Sequence, residues 1–132
     1  MSALKPGIGA ITLFVADRLR SRAFYERAFE APVLFEDSDG VAFRLDNCIL
    51  NLLEDRAADE LVEPSPVGPR DAGARFQLTT WVDDADAVCA ELKARGVELL
   101  NGPQDRPWGV RTAAFADPDG HVWEVAQEIH GG

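Results

Sequence analysis

Basic residues are scarce in this 132-residue chain: 13 Lys and Arg stand against 23 Asp and Glu, for a formal net charge of −10. That balance argues against nucleic acid or an anionic membrane as a partner, because both demand a basic footprint. Its ordinary meaning is solubility, with a weaker pull toward a cationic ligand. Cysteine is nearly absent as well. Cys48 and Cys89 fall in separate elements without metal-type spacing, which reads as two reduced, mostly buried thiols and not as a redox pair. No apolar run approaches a membrane span, and Met1-Ser2-Ala3-Leu4-Lys5-Pro6 lacks the hydrophobic stretch of a signal peptide, so a cytoplasmic protein is expected. Also missing are a Gly-rich phosphate loop, a Gly-x-Ser-x-Gly elbow, zinc-finger spacing and a local Cys/His nucleophile pair.

What is present is ordinary globular material, 46% apolar and 27% charged. The length suits one compact domain, or two small halves sharing one core, without metal or disulfide staples. The strongest local signal is Asp117-Pro118-Asp119-Gly120, a turn in which proline presets φ and glycine tolerates positive φ. Beyond it, Glu124 shares a strand face with Val122 and Ala126, while His121, Trp123 and Val125 take the other. A carboxylate among apolar neighbours marks either an edge or a site. Trp123, on the helix side by parity, is expected in the core.

Taken from the start, Ala10 to Ala16 reads as a strand, with Asp17 capping a helix from Arg18 to about Phe29. Strands Val33 to Glu36, Val41 to Leu45 and Cys48 to Leu53 follow, separated by Asp37-Ser38-Asp39-Gly40 and Asp46-Asn47. The pattern then restarts. Strand Arg75 to Val82, a cap at Asp83 or Asp84, and helix Ala85 to Arg95 precede strands Val97 to Leu100, Val110 to Ala116 and His121 to Gln127. Laying Asp17 on Asp84 puts Thr12 on Thr79, Phe14 on Trp81 and Ala10 on Gln77. Laying Asp46-Asn47 on Asp119-Gly120 puts Asn51 on Glu124. The chain is therefore expected to be an α+β protein of two tandem βαβββ modules, 8–54 and 74–128, within a single domain. Between them, 55–73 is rich in Asp, Glu, Pro, Gly and Ala and reads as a solvated linker.

These features resemble the vicinal oxygen chelate superfamily of glyoxalase, bleomycin-resistance, fosfomycin-resistance and extradiol dioxygenase proteins. The resemblance is carried by Val15-Ala16-Asp17, by the helix with Ser21 and Phe24-Tyr25, and above all by Asp117-Pro118-Asp119-Gly120-His121-Val122-Trp123-Glu124. Pro107-Trp108-Gly109-Val110-Arg111 is similar too. It implies an incomplete barrel around a cavity, commonly across a homodimer, with metal ligands on four strands. Those places fall on Ala10, Asn51, Gln77 and Glu124, which offer one carboxylate, two amides and a methyl group. Zinc and iron sites normally need more His, Cys or carboxylate ligands than that. His121 lies on the opposite face, and His130 belongs to the C-terminal tail.

Metal-independent binding of a small, aromatic or cationic organic molecule is thus the expected function, as in antibiotic sequestration, with no cofactor favoured. The ligand-binding candidates are Thr12, Phe14, Asn51, Gln77, Thr79, Trp81, Trp108 and Arg111. Glu124 is the catalytic candidate. Its bland alternative is a carboxylate hydrogen-bonded to Gln77 and Asn51 or to water. Trp108 suits a pocket or an interface equally, and Arg111 pairs either with an acidic ligand or with Asp105 or Asp117. A divalent metal held by Gln77 and Glu124 in a lyase, isomerase or dioxygenase is the competing expectation. A dimerising or regulatory module is a third.

Overall fold

Asp17 and Asp84 begin the two longer helices in the same way. Asp17 stands in extended backbone and accepts from the amides of Leu19 and Arg20, and Asp84 accepts from that of Ala87. Such caps satisfy amides that the first helical turn leaves without partners. In the computed structural model, which describes residues 3, 4 and 6–129, each helix belongs to its own compact unit, Met1–Val67 and Gly68–Gly132.

The first unit contains β1 (Ala10–Val15), α1 (Arg18–Phe29), β2 (Val33–Glu36), β3 (Gly40–Arg44), β4 (Ile49–Glu54) and α2 (Asp55–Val62). Its sheet runs β1-β4-β3-β2, with β1 parallel to β4 and the other pairs antiparallel. Leu13, Val15, Val41, Phe43, Leu50 and Leu52 are buried on one face, where α1 supplies Phe24, Tyr25 and Ala28. Tyr25 and Phe43 have ring centroids 6.3 Å apart across this layer. Truncating one of these large side chains to alanine removes about 2–5 kcal/mol, a large part of a small unit's stability.

The second unit repeats the order with β5 (Gln77–Trp81), α3 (Ala85–Ala94), β6 (Leu99–Arg106), β7 (Val110–Ala116) and β8 (Val122–Glu128). Its sheet is β5-β8-β7-β6, again with only the first pair parallel. Ala85, Cys89 and Leu92 of α3 are buried, as are Ala113, Phe115, Trp123 and Val125 on the strands. Trp123 is in the core as its parity requires, stacked on Phe115 with centroids 6.5 Å apart. Two tandem βαβββ modules of an α+β protein are therefore present.

Two stretches differ from expectation. Residues Asp55–Val62, read as solvated linker, form α2, which packs on β1 and β4 with Ala58 fully buried. The acidic residues dominate the local composition, but Ala58, Leu61 and Val62 recur at helical spacing, and Pro64 follows the helix end. The expected strand Val97 to Leu100 is replaced by a longer β6, Leu99–Arg106. Gly102-Pro103 sits where its register against β7 shifts, at the sheet edge, so these residues bulge the strand without ending it. No helix among the described residues is long and apolar enough to cross a membrane. His130 lies outside the described residues.

Candidate functional site

In each module the sheet face away from the long helix carries a hydroxyl beside a polar side chain of the neighbouring parallel strand. Thr12 stands opposite Asn51 in the β1–β4 register, and Asn51 Nδ2 donates to Thr12 Oγ1 at 3.3 Å. Thr79 stands opposite Glu124 in the β5–β8 register and donates from Oγ1 to Oε1 at 3.0 Å. The positions overlaid between the modules, Thr12 with Thr79 and Asn51 with Glu124, occupy equivalent register places in the two sheets. The partner of Glu124 corrects one expectation: it is Thr79, and Gln77 stands one step away opposite Val122. Gln77 and Thr79 share one face of β5, but the register sets Thr79 and not Gln77 directly across from Glu124.

Around Thr12 and Asn51 the first unit forms a pocket of about 220 Å³. Its apolar lining includes Phe35, Ala42, Leu53 and Leu61, and Asp37 supplies its charge. Phe35 and Leu61 are 61% and 68% exposed, large apolar groups left at the surface beside a polar floor. Leu61 comes from α2, so the wall of this pocket belongs to the segment read as linker. Phe35, Leu53 and Leu61 were therefore missed as site residues. The signal that could have found them is helical spacing in 55–62 and the shared face of Asn51 and Leu53 on β4. Phe14 lies on the Thr12 face of β1 and is half-buried, and Ala10 at the strand start is exposed.

The second unit gathers fewer of its candidates. Gln77, Thr79 and Trp81 share one face of β5, with Trp81 63% exposed at the end of the strand. Trp81 and the carboxylate residues Asp83 and Glu128 line a cleft of about 360 Å³, in which Gln127 binds the amide of Ala85 at 2.8 Å. Trp108 projects from the β6–β7 turn and is 71% exposed. Arg111 pairs with Asp105 at 2.9 Å and Asp86 at 3.0 Å, and these two hydrogen bonds, that to Asp105 first, raise its pKa. Asp117, the other expected partner, instead accepts from the amides of Asp119 and His121 and bonds His121 Nδ1 at 2.8 Å. Burial pushes the Cys89 thiol up, as suits an inert core thiol, while Cys48 is half-buried.

A sequence model of the Glyoxalase/Bleomycin resistance protein/Dioxygenase superfamily matches residues 7–125. The chain belongs to that superfamily. Among its relatives is the uncharacterized protein YraH of Bacillus subtilis, 30% identical over 119 residues, covering 87% of this chain and 93% of that protein. A crystal structure of a glyoxalase/bleomycin resistance protein/dioxygenase from Nocardioides superposes with a TM-score of 0.87 at 23% identity, covering 99% of this chain and 89% of the other. Lactoylglutathione lyase from Agrobacterium tumefaciens gives 0.74 at 21% identity, covering 94% and 95%. These two structures establish the glyoxalase fold of this superfamily member and nothing about its chemistry.

The superfamily includes metal-dependent members, so the donor set bears on what a metal could find here. The first module offers Ala10 and Asn51, and the second offers Gln77 and a Glu124 already accepting from Thr79. Neither module's pair, a methyl group with an amide or an amide with one carboxylate, fits a zinc or iron site, which draws on His, Cys and further carboxylates. Among the described residues no group of three or more His, Cys, Asp and Glu could hold a metal ion.

Proposed function

We propose that this protein binds a small organic molecule, aromatic or cationic, without a metal ion, in the manner of a sequestering resistance protein. The observation that carries the reading is the first module's pocket, where the Thr12–Asn51 pair lies among Phe35, Leu53 and Leu61. A few polar groups in an apolar lining orient a ligand, while burial of the ligand's body supplies affinity at roughly 25 cal/mol per Å². The mismatched donor set at Ala10, Asn51, Gln77 and Glu124 supports metal independence. A cytoplasmic homodimer completes the reading, and sedimentation of the purified protein tests its assembly.

The deciding experiment is elemental analysis of protein purified without chelators and again after dialysis against zinc, nickel, manganese and iron(II), paired with a titration of one-ring aromatics. Binding of an aromatic by metal-free protein is expected. One metal per chain, lost in Glu124→Ala, would replace this reading with a lyase, isomerase or dioxygenase that uses Glu124 and Gln77.

A further inference from the structure

The first module's pocket carries a charge whose position is built into the β2–β3 turn. Asp37 Oδ1 accepts from the amides of Asp39 at 2.8 Å and Gly40 at 2.9 Å, which leaves Oδ2 outside the turn's own bonding. The turn is pressed against β4: a Cβ on Gly40 would lie 2.6 Å from the carbonyl oxygen of Leu52. The carboxylate is thereby fixed at the pocket by backbone, with little side-chain freedom left for a ligand to remove. Those amide bonds, helped by Arg18 and Arg56 at longer range, also keep Asp37 below the usual carboxylate range and hence ionised at neutral pH.

The neighbouring cations stand outside the pocket lining. Arg56 is engaged by Asp39 at 2.8 Å and Glu54 at 3.0 Å, and neither Arg18 nor Arg56 lines the pocket. The remaining lining is apolar or neutral, so a ligand that enters meets Phe35, Leu53 and Leu61 on its body and a carboxylate at one end. Size narrows the class further. An apolar cavity of about 150 Å³ holds benzene, and drug-sized ligands need about 300 Å³ or more. A volume of about 220 Å³ matches one ring with a short arm.

We infer that this pocket selects a one-ring organic ammonium, with its ring against Phe35 and Leu61 and its charged nitrogen at Asp37. The inference rests on the binding reading above and adds the charge and size of the ligand. Benzylamine, benzyl alcohol and benzoate share a ring and differ in the charge of the arm, so they separate the two ideas. In an NMR chemical-shift titration at low ionic strength, benzylamine should bind about fivefold more tightly than benzyl alcohol, the upper range for an exposed ion pair, and benzoate most weakly. Added salt should shrink the preference. Asp37→Asn retains an acceptor for the turn amides and should level amine and alcohol, while Leu61→Ser should weaken both alike. Equal affinities in the unaltered protein, or a preference that survives Asp37→Asn, would overturn the ammonium inference and leave the binding reading standing. No binding of any probe would overturn both. If Asp37→Asn fails to fold by its melting curve, the salt dependence of the unaltered protein decides.

Discussion

Thr79 donates a hydrogen bond from Oγ1 to Oε1 of Glu124 at 3.0 Å across the β5–β8 ladder. The first module keeps the pair and reverses the donor: Asn51 Nδ2 donates a hydrogen bond to Thr12 Oγ1. An amide can supply a proton that an ionised carboxylate cannot, and a hydroxyl accommodates either partner by rotation. Duplicated positions have thus kept their contact while changing their charge.

Glu124→Gln should therefore retain the bond to Thr79 and change stability by no more than about 0.5 kcal/mol, whereas Glu124→Ala should lose about 1 kcal/mol. Urea denaturation measures both. A loss above about 2 kcal/mol in the Gln variant would mean that the charge itself is compensating a buried partner, contrary to the half-exposed position of Glu124.

Gly96 and Gly102 separate backbone strain from collision. Both have positive φ, +83° and +80°, but a Cβ at Gly96 meets nothing within 4 Å, while at Gly102 it would lie 2.4 Å from the Thr112 carbonyl oxygen. Gly96→Ala should cost about 1 kcal/mol, the left-handed penalty alone. Gly102→Ala should cost about 3 kcal/mol, because β7 must also move. Equal losses in denaturant titrations would show that the β6 bulge relaxes freely.

Legibility in the sequence followed the strength of local signals. Asp17 and Asp84 announce their helices because a cap acts through neighbouring amides, and strict alternation on β1, β4, β5 and β8 assigns every side chain to a face. Parity put Thr79, Gln77 and Glu124 on site-facing sides of their strands, but the choice of Thr79 over Gln77 as the partner of Glu124 depends on strand register, which parity leaves undetermined. The helix α2 was hidden because Asp55, Asp59 and Glu60 outweigh one small buried residue, Ala58, in any average over the segment. The pocket wall was lost with it. The partner of Arg111 was half legible: Asp105 lies across the β6–β7 ladder, but Asp86 comes from α3, distant in sequence.

Ala58 and Leu61 sit three residues apart on α2 and should behave oppositely. Ala58 is fully buried, so Ala58→Asp places a charge in the contact with β1 and β4 and should cost about 3 kcal/mol or more, with loss of the helix. Leu61 is 68% exposed, and Leu61→Ser should change stability by no more than about 0.5 kcal/mol while weakening any ligand of the pocket. Paired denaturation and binding curves distinguish the two. A large stability loss at Leu61 would make it a core residue and remove it from the site.

Asp37 gives the fold a predictable acid dependence. Hydrogen bonds from the amides of Asp39 and Gly40 lower its pKa below the ordinary value of 3.8; desolvation opposes them less strongly, and the charges of Arg18 and Arg56 add the smallest pull downward. A carboxyl depressed in the folded state contributes stability that is present above its unfolded value and is lost as pH falls through its folded value. Melting temperatures of the unaltered protein and of Asp37→Asn should therefore differ most above the ordinary value of 3.8 and converge as pH falls through the lower folded value. Asn keeps an oxygen for the two amides but has no proton to gain, so convergence isolates the titration from the turn's geometry. A difference that stays constant or widens on acidification would mean that the turn draws no stability from the ionised form.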